Sequence, residues 1–246
     1  MTIFVTGVSR GLGKAIATRL GAVGVKRADA DLSRMHDVRR LAHDVAARHP
    51  DLDVLINNAG VSKFTRDVTP DGLETTFAVN YMAPFLLSNL LLPVLARNRG
   101  MVVNIGSEQH RWVRAIPWGD LQGEQRFRPI EQYNLTKLYL LLFTRELARR
   151  APDVVASCVS PGFLRTGLGR EARGSFRVFL ALSRPFQQPA ERGAEAVVHA
   201  LDQRVTGAYF RGMRQAEPSK LALDDAAAAR LWALSADLVQ LAQVGQ

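Results

Sequence analysis

Residues 2–13 read TIFVTGVSRGLG, a short apolar run followed by a loop with glycines at positions 7, 11 and 13. The β-branched run predicts a strand, and the apolar spacing over residues 11–22 predicts a helix after it. Glycine permits the sharp turn between them and a close approach to a pyrophosphate, which the helix N-terminus then faces. Because a tight turn needs glycine even without a ligand, the loop alone is a weak signal. Its place after the first strand favours a nucleotide site.

Strand-like runs alternate with amphipathic segments along the rest of the chain. Strands are predicted at TIFVTG, VKRADAD, DVLINNAG, MVVNIGS, VVASCVSPG and GAYF, and helices at residues 11–22, 34–48, 71–98, 133–150 and 190–203. This alternation predicts an α/β fold with a Rossmann-like, doubly wound parallel sheet of six strands and helices on both faces. Ligands of such sheets bind at the carboxyl ends of the strands, where TG, NNAG, IGS and SPG fall.

Composition narrows the class of partner. The 246 residues carry a net charge of +9, but the basic residues are spread along the chain without a dense tract or aromatic platform. We therefore expect a solvated basic surface and a small-molecule substrate, with no nucleic-acid partner and no metal site. The longest apolar stretch, residues 82–96, contains two prolines and is shorter than the roughly 20 residues of a membrane helix, so it predicts a core helix.

The chain ends and the single cysteine bear on location. A strand that begins at residue 2 leaves no signal peptide, so no membrane anchor is expected. Cys158 lies in an apolar run and predicts a buried thiol in a reducing compartment, the cytoplasm. We expect a single domain over residues 1–246 and leave a homo-oligomer open.

A second constellation is Tyr133 and Lys137 in YNLTK. A spacing of four places both side chains on one helix face, where the ammonium lies beside the phenol and is expected to lower the pKa of Tyr133 from about 10. Ser107 closes the strand MVVNIGS at the same sheet edge, and its hydroxyl can bind a substrate carbonyl. Together the three residues predict proton transfer to or from an oxygen.

The ordered strings TGVSRGLG, NNAG, VNYM, NIGS, YNLTK and SPGFLRT resemble the short-chain dehydrogenase/reductase family over essentially the whole chain. Shorter strings, such as GSEQH at 106–110 and DLQGE at 120–124, are similar to the retinol dehydrogenase and protochlorophyllide reductase-like branch. The resemblance implies that Tyr133 is the general acid or base, that Ser107 orients the carbonyl, that Lys137 assists Tyr133 and holds the nicotinamide ribose, and that Asn80 positions a relay water.

The resemblance also implies a dinucleotide site. Its phosphate-binding residues would be Gly7, Ser9, Arg10, Gly11 and Leu12; its adenosine-side residues Asp31, Leu32, Asn58, Ala59 and Gly60; and its nicotinamide-side residues Pro161, Gly162 and Thr166, besides Tyr133 and Lys137. In this family a basic residue before the second glycine accompanies a 2′-phosphate, and the guanidinium of Arg10 suits phosphate geometry. This favours NADP(H), and NAD(H) stays possible.

One βα unit of the family pattern is missing between the glycine loop and NNAG. The lost unit corresponds to the family's second strand and helix, and the strand near Val25 is then expected to move beside the first strand. A rival alignment makes Asp29 or Asp31 the acid that binds the ribose, which would favour NAD(H). In both alignments the adenosine half of the site is shortened.

We expect an NADP(H)-dependent oxidoreductase that reduces a carbonyl, or oxidises an alcohol, of a fairly large apolar molecule. Residues expected near that substrate are Glu108, His110, Trp112, Trp118, Phe163 and Phe210, although His110 and the tryptophans are equally compatible with a structural role. The shortened adenosine region leaves a second hypothesis, a cofactor-independent isomerase, lyase or cyclase that uses Ser107, Tyr133 and Lys137. A non-catalytic binding protein is a weaker third.

Overall fold

The computed structural model describes residues 1–164 and 187–240. Their seven strands form one sheet in the order β2-β1-β3-β4-β5-β6-β7. The bounds are β1 Thr2–Thr6, β2 Val23–Val25, β3 Leu52–Asn57, β4 Met101–Ile105, β5 Val155–Ser160, β6 Ala208–Arg211 and β7 Arg214–Gln215. Strands β1 to β6 are parallel, which confirms the predicted architecture. The count of six was wrong, because a hairpin at Gly212 (φ 58°) adds a two-residue antiparallel strand too short to leave a sequence pattern.

Helices cover both faces of this sheet. They are α1 Gly11–Leu20, α2 Met35–Arg48, α3 Thr75–Arg97, α4 Pro129–Arg150, α5 Ala190–Gln203 and α6 Asp225–Leu238. Helices α1 and α5 pack together over one face, and α2, α3 and α4 cover the other. Helix α6 lies outside α4, where Trp232 packs against Phe85 and Phe143 with ring centroids 5.1 and 5.8 Å away.

Helix α3 packs against strands β3 and β4. It includes a π-helical segment, Ala78–Met82, in which the Ala83 N–H bonds to the carbonyl of Ala78, five residues earlier. By length and composition alone α3 is able to cross a membrane, but 78% of its most apolar window is buried inside the protein. In this fold it is a core helix.

The edge of the sheet at β2 is shorter than predicted. Helix α1 ends at Gly21, and the chain enters β2 at Val23 and leaves it at Val25. The prediction of a strand over residues 25–31 was wrong, because the residues after Val25 fold into turns: the Asp29 carboxylate accepts the Lys26 N–H at 2.9 Å. Strand β2 pairs with β1, so the second strand of this chain does lie beside the first.

Candidate active site

The glycine loop lies between β1 and α1, and its glycines differ in backbone conformation and in packing. Gly7 has φ 77° and donates its N–H to the Val25 carbonyl at 2.9 Å. A Cβ on Gly13 would lie 2.2 Å from the carbonyl oxygen of Gly7, so close packing of helix on loop requires glycine there. A Cβ on Gly11 (φ 54°) would meet no atom of the described residues within 4 Å. The described residues therefore leave room for a ligand beside Gly11.

Thr6 and Asn58 hold this loop against the segment after β3. The Thr6 hydroxyl accepts the N–H groups of Asn58 and Ala59, both at 3.0 Å. The Asn58 amide donates to the Thr6 carbonyl at 2.8 Å, so its side chain serves the loop itself. Sequence reasoning missed Thr6. The available signal was a hydroxyl residue at the end of the first strand, directly before the first glycine.

The other residues predicted to contact the dinucleotide lie along the same sheet edge. Ser9 and Arg10 are exposed at the α1 N-terminus, whereas the Leu12 side chain is buried in the core between α1 and α5. Leu32 and Ala59 line one shallow depression, and Gly60 follows Ala59. Pro161 and Gly162 follow β5, and Thr166 lies outside the described residues.

Asp29 and Asp31, the two candidate ribose-binding acids, both accept hydrogen bonds from residues of the loop after β2. The Asp29 carboxylate binds the Lys26 N–H. The Asp31 carboxylate accepts the N–H and hydroxyl of Ser33 at 3.1 and 2.8 Å, and lies 3.9 Å from Arg27. Burial alone would raise the pKa of Asp31, but these hydrogen bonds and nearby arginines lower it. Both carboxylates thus cap the turns that end β2.

Ser107, Tyr133 and Lys137 meet at the carboxyl end of β4. The Lys137 ammonium donates to the Ile105 carbonyl at 2.9 Å and lies 5.5 Å from the centroid of the Tyr133 ring. The Ser107 side chain is close enough to the Tyr133 hydroxyl to act on its pKa. The Ser107 hydroxyl also accepts the Gln109 N–H at 3.2 Å, so its own proton remains available for donation.

Burial controls the protonation of this group. It raises the pKa of Tyr133, although the nearby Ser107 side chain opposes the rise. It lowers the pKa of Lys137 to about 8. The expected lowering of the Tyr133 pKa was therefore wrong for this arrangement, because desolvation disfavours the charged form of both groups and the ammonium is turned toward Ile105. A neutral phenol beside Ser107 is chemically a proton donor.

Asn80 lies in the π-helical segment of α3 and is buried. Its side chain accepts the Val61 N–H at 2.8 Å and donates to the Val61 carbonyl at 2.9 Å and to the Thr136 hydroxyl at 3.2 Å. Asn80 therefore joins three segments: α3, the chain after NNAG and the helix that carries Tyr133. Every polar atom of its side chain is used in this link.

The residues expected near the substrate differ in exposure. Phe210 is 1% exposed, so it belongs to the core and the prediction that it lines the pocket was wrong. Trp112 ends the 3₁₀ helix Glu108–Trp112 and is 68% exposed, and Phe163, which lies after the end of β5 at Ser160, is 46% exposed. Trp118 packs under the guanidinium of Arg230, 4.4 Å from its ring centroid.

A sequence model of the short chain dehydrogenase family matches residues 25–175. Human retinol dehydrogenase 13 is 34% identical over 98% of this chain and 85% of its own length. A putative daunorubicin C-13 ketoreductase of Streptomyces sp. strain C5 is 30% identical over 97% of this chain and 92% of its own.

The chain belongs to the short-chain dehydrogenase/reductase family. It is an oxidoreductase of the retinol dehydrogenase-like branch, acting on a carbonyl or an alcohol. The alignment with retinol dehydrogenase 13 extends over 281 positions although this chain has 246 residues, so the relative carries segments that this chain lacks.

Two solved structures are similar over the whole fold. An uncharacterized protein from Mycobacterium paratuberculosis gives a TM-score of 0.77 at 29% identity, covering 97% of this chain and 93% of its own. A blue fluorescent protein from a metagenomic library, solved with NADPH, gives 0.65 at 26% identity, covering 86% and 97%. Together with the family, the second neighbour supports a nicotinamide dinucleotide as the cofactor.

Proposed function

We propose that this enzyme transfers hydride between NADP(H) and a carbonyl or alcohol group of a large apolar molecule. The observation that carries the proposal is the convergence of Ser107, Tyr133 and Lys137 at the end of β4, on the edge that also holds the glycine loop. A nicotinamide bound here would supply the hydride for a carbonyl carbon, and the substrate oxygen would then require a proton. Tyr133, kept neutral by burial, donates it, while Ser107 binds the same oxygen.

The preference for the 2′-phosphorylated cofactor rests on the residues that surround the open loop. Strand β2 ends at Val25, whose carbonyl accepts the Gly7 and Val8 N–H groups, and Lys26 and Arg27 follow as exposed residues. Arg10 is exposed at the neighbouring helix N-terminus. At this corner three cationic side chains, Arg10, Lys26 and Arg27, face the two carboxylates of Asp29 and Asp31, which bind groups of their own loop. A phosphate suits this corner better than a ribose diol.

The substrate class is inferred from the relatives and from the expected pocket. The names of these relatives specify retinol and the C-13 ketone of daunorubicin. The aromatic residue Trp112 ends the 3₁₀ helix that follows β4, and Phe163 lies in the segment directly after β5. We further propose a cytoplasmic enzyme, in keeping with the buried free thiol of Cys158.

The experiment is a titration of the purified protein with NADPH and NADH, followed by quenching of its tryptophans, combined with turnover of retinaldehyde and daunorubicin. We expect NADPH to bind better than NADH. No strand lies beyond β2 in the described residues to enclose the adenosine. We therefore expect NADPH to bind about 2–4 kcal/mol more weakly than at an ordinary micromolar site, in the sub-millimolar range. Binding held by exposed cations should weaken as salt is added.

Tyr133→Phe is the matched variant, because it removes only the hydroxyl. Turnover should fall by roughly 10²-fold or more with NADPH binding unchanged. Near wild-type turnover in this variant would refute the assignment of the acid. Turnover without any binding at millimolar cofactor, still dependent on Tyr133, would favour a cofactor-independent isomerase, lyase or cyclase.

A further inference from the structure

The imidazole of His110 connects the end of β4 to the C-terminal part of the chain. The side chain is fully buried. Its Nδ1 lies 2.6 Å from the carbonyl oxygen of Ser107, and its Nε2 lies 3.1 Å from the backbone nitrogen of Ser219. The ring therefore bridges two segments 109 residues apart, one of which carries Ser107.

The two contacts determine where the ring proton is. The Ser219 backbone nitrogen is only a donor, so Nε2 must accept and carries no proton. The Ser107 carbonyl is only an acceptor, so Nδ1 must donate. Both bonds are satisfied by one species, the neutral imidazole protonated on Nδ1. A doubly protonated ring would set two N–H groups against each other at Ser219.

The surroundings of His110 keep it in that form. Burial is the main cause that lowers the pKa of His110; Arg111 lowers it as well, while the hydrogen bond to Ser107 and the charge of Glu108 oppose this. The Tyr209 ring lies edge-on to the imidazole at 5.2 Å, and its hydroxyl donates to Glu108. Glu108 also pairs with Arg111 and Arg211, at 3.4 and 3.3 Å, so its charge is shared among three partners.

Ser107 is held at both of its polar ends. Its hydroxyl accepts the Gln109 N–H, and its carbonyl accepts the Nδ1–H of His110. These two bonds, together with the His110 backbone N–H that donates to the same carbonyl at 3.3 Å, hold the residue where the chain leaves β4 and enters the 3₁₀ helix, with extended φ −159° and ψ 148°. Because the hydroxyl oxygen accepts the Gln109 N–H, its own proton is free to be donated to Tyr133 or to a substrate oxygen.

We propose that His110 is a positioning residue that orients the Ser107 hydroxyl by anchoring the Ser107 carbonyl to the Ser219 segment. The proposal rests on the proposed function for the meaning of Ser107 in catalysis. His110 itself touches neither substrate nor cofactor in this role. It acts through Ser107 alone.

Three variants test the two side-chain hydrogen bonds of His110 separately. In His110→Asn the amide nitrogen takes the place of Nδ1 and keeps the bond to Ser107. In His110→Gln the longer side chain brings its amide oxygen to the place of Nε2 and keeps the bond to Ser219. His110→Phe keeps the ring shape and neither bond.

Amide hydrogen exchange tests this arrangement without any substrate. The Gln109 amide reports on Ser107, because its bond is to the Ser107 hydroxyl. We expect its protection to fall about tenfold or more in His110→Phe and His110→Gln and to persist in His110→Asn. The Ser219 amide should keep its protection in His110→Gln only. If Gln109 exchange is equal in all three variants and wild type, the inference is overturned.

Kinetics with NADPH and retinaldehyde supply the second readout. We expect kcat to fall about tenfold in His110→Phe and His110→Gln and less than threefold in His110→Asn, with KM and NADPH affinity unchanged. In a Ser107→Ala background the three variants should be equal, whereas a general loss of stability would persist there and overturn the proposal. If His110→Phe fails to fold, the Asn and Gln pair still decides. Absence of NADPH-dependent turnover in wild type refutes the proposed function, and Gln109 exchange still decides the placement of Ser107.

Discussion

Replacing Lys137 with methionine should make the protein more stable at neutral pH, and the gain should vanish as the pH rises. Methionine keeps an unbranched chain in a buried site and removes the ammonium. Burial lowers the pKa of Lys137 from 10.5 to about 8. At about 1.4 kcal/mol per pKa unit, holding the charged form in the folded protein at pH 7 costs about 3 kcal/mol. The lost bond to the Ile105 carbonyl offsets about 1 kcal/mol of this, so the net gain is about 2 kcal/mol.

The sign of the pH dependence follows from proton uptake on unfolding. Between pH 8 and 10.5 the unfolded chain binds a proton at Lys137 that the folded protein has released, so wild-type stability rises with pH in this window relative to the variant. From pH 7 to pH 9.5 the difference between the two proteins should shrink by about 2 kcal/mol. Raising the pH thus removes the advantage of the variant.

Urea unfolding of both proteins at several pH values from 7 to 9.5, with equal m-values required, measures this difference. Lys14→Met is the matched control, because Lys14 is exposed on α1 and its change should leave the pH dependence as in wild type. A Lys137→Met difference that stays constant across the range would refute the reasoning that burial disfavours the ammonium. If the proposed function is right, the variant should also lose turnover at every pH, since Lys137 is the residue proposed to hold the nicotinamide ribose.

Three further outcomes are expected. Arg10→Ala should cost about 1–3 kcal/mol of NADPH binding and leave NADH nearly unchanged, with Arg19→Ala in the same helix as control; equal losses for both cofactors in a titration would point to a role in loop structure. Gly13→Ala should lower the free energy of unfolding by about 1–3 kcal/mol, because its methyl group would clash with the Gly7 carbonyl. Urea unfolding measures this, and an unchanged midpoint would contradict the packing. Glu74→Ala removes the carboxylate that accepts the Thr76 and Phe77 N–H groups at the start of α3, and thermal unfolding should report a loss of about 1–2 kcal/mol; no shift would mean that the cap is replaced.

The sheet and its helices were predictable because their periodicity is local. Helix α2 was predicted at 34–48 and begins at Met35, and α5 was predicted at 190–203 and has those bounds. The end of β2 was not predictable, because VKRADAD has strand composition and its turns depend on carboxylates that bind backbone groups nearby in the chain. The alternation of apolar and polar residues that predicts a strand does not indicate whether a side-chain carboxylate will bind the backbone and end it.

The candidate site was predictable as a set of positions and less so as an arrangement. Ser107, Tyr133 and Lys137 converge because β4 and α4 bring them together, as their spacing suggested. The pKa of Tyr133 went the other way, since a sequence does not give the degree of burial of the phenol. The contact between His110 and Ser219 joins segments distant in sequence, and no local pattern could indicate it.

The short edge at β2 has a consequence for how this protein can be redesigned. Strand β2 pairs with β1 on one side, and the loop that follows it crosses to α2 on the opposite face of the sheet. A helix and a strand inserted within residues 26–34 would therefore dock beside α1 and β2 at the periphery, leaving the order from β1 to β7 intact. Such a graft would lengthen the wall next to the adenosine while Ser107, Tyr133 and Lys137 keep their scaffold, so cofactor affinity and chemistry become separately adjustable in one chain.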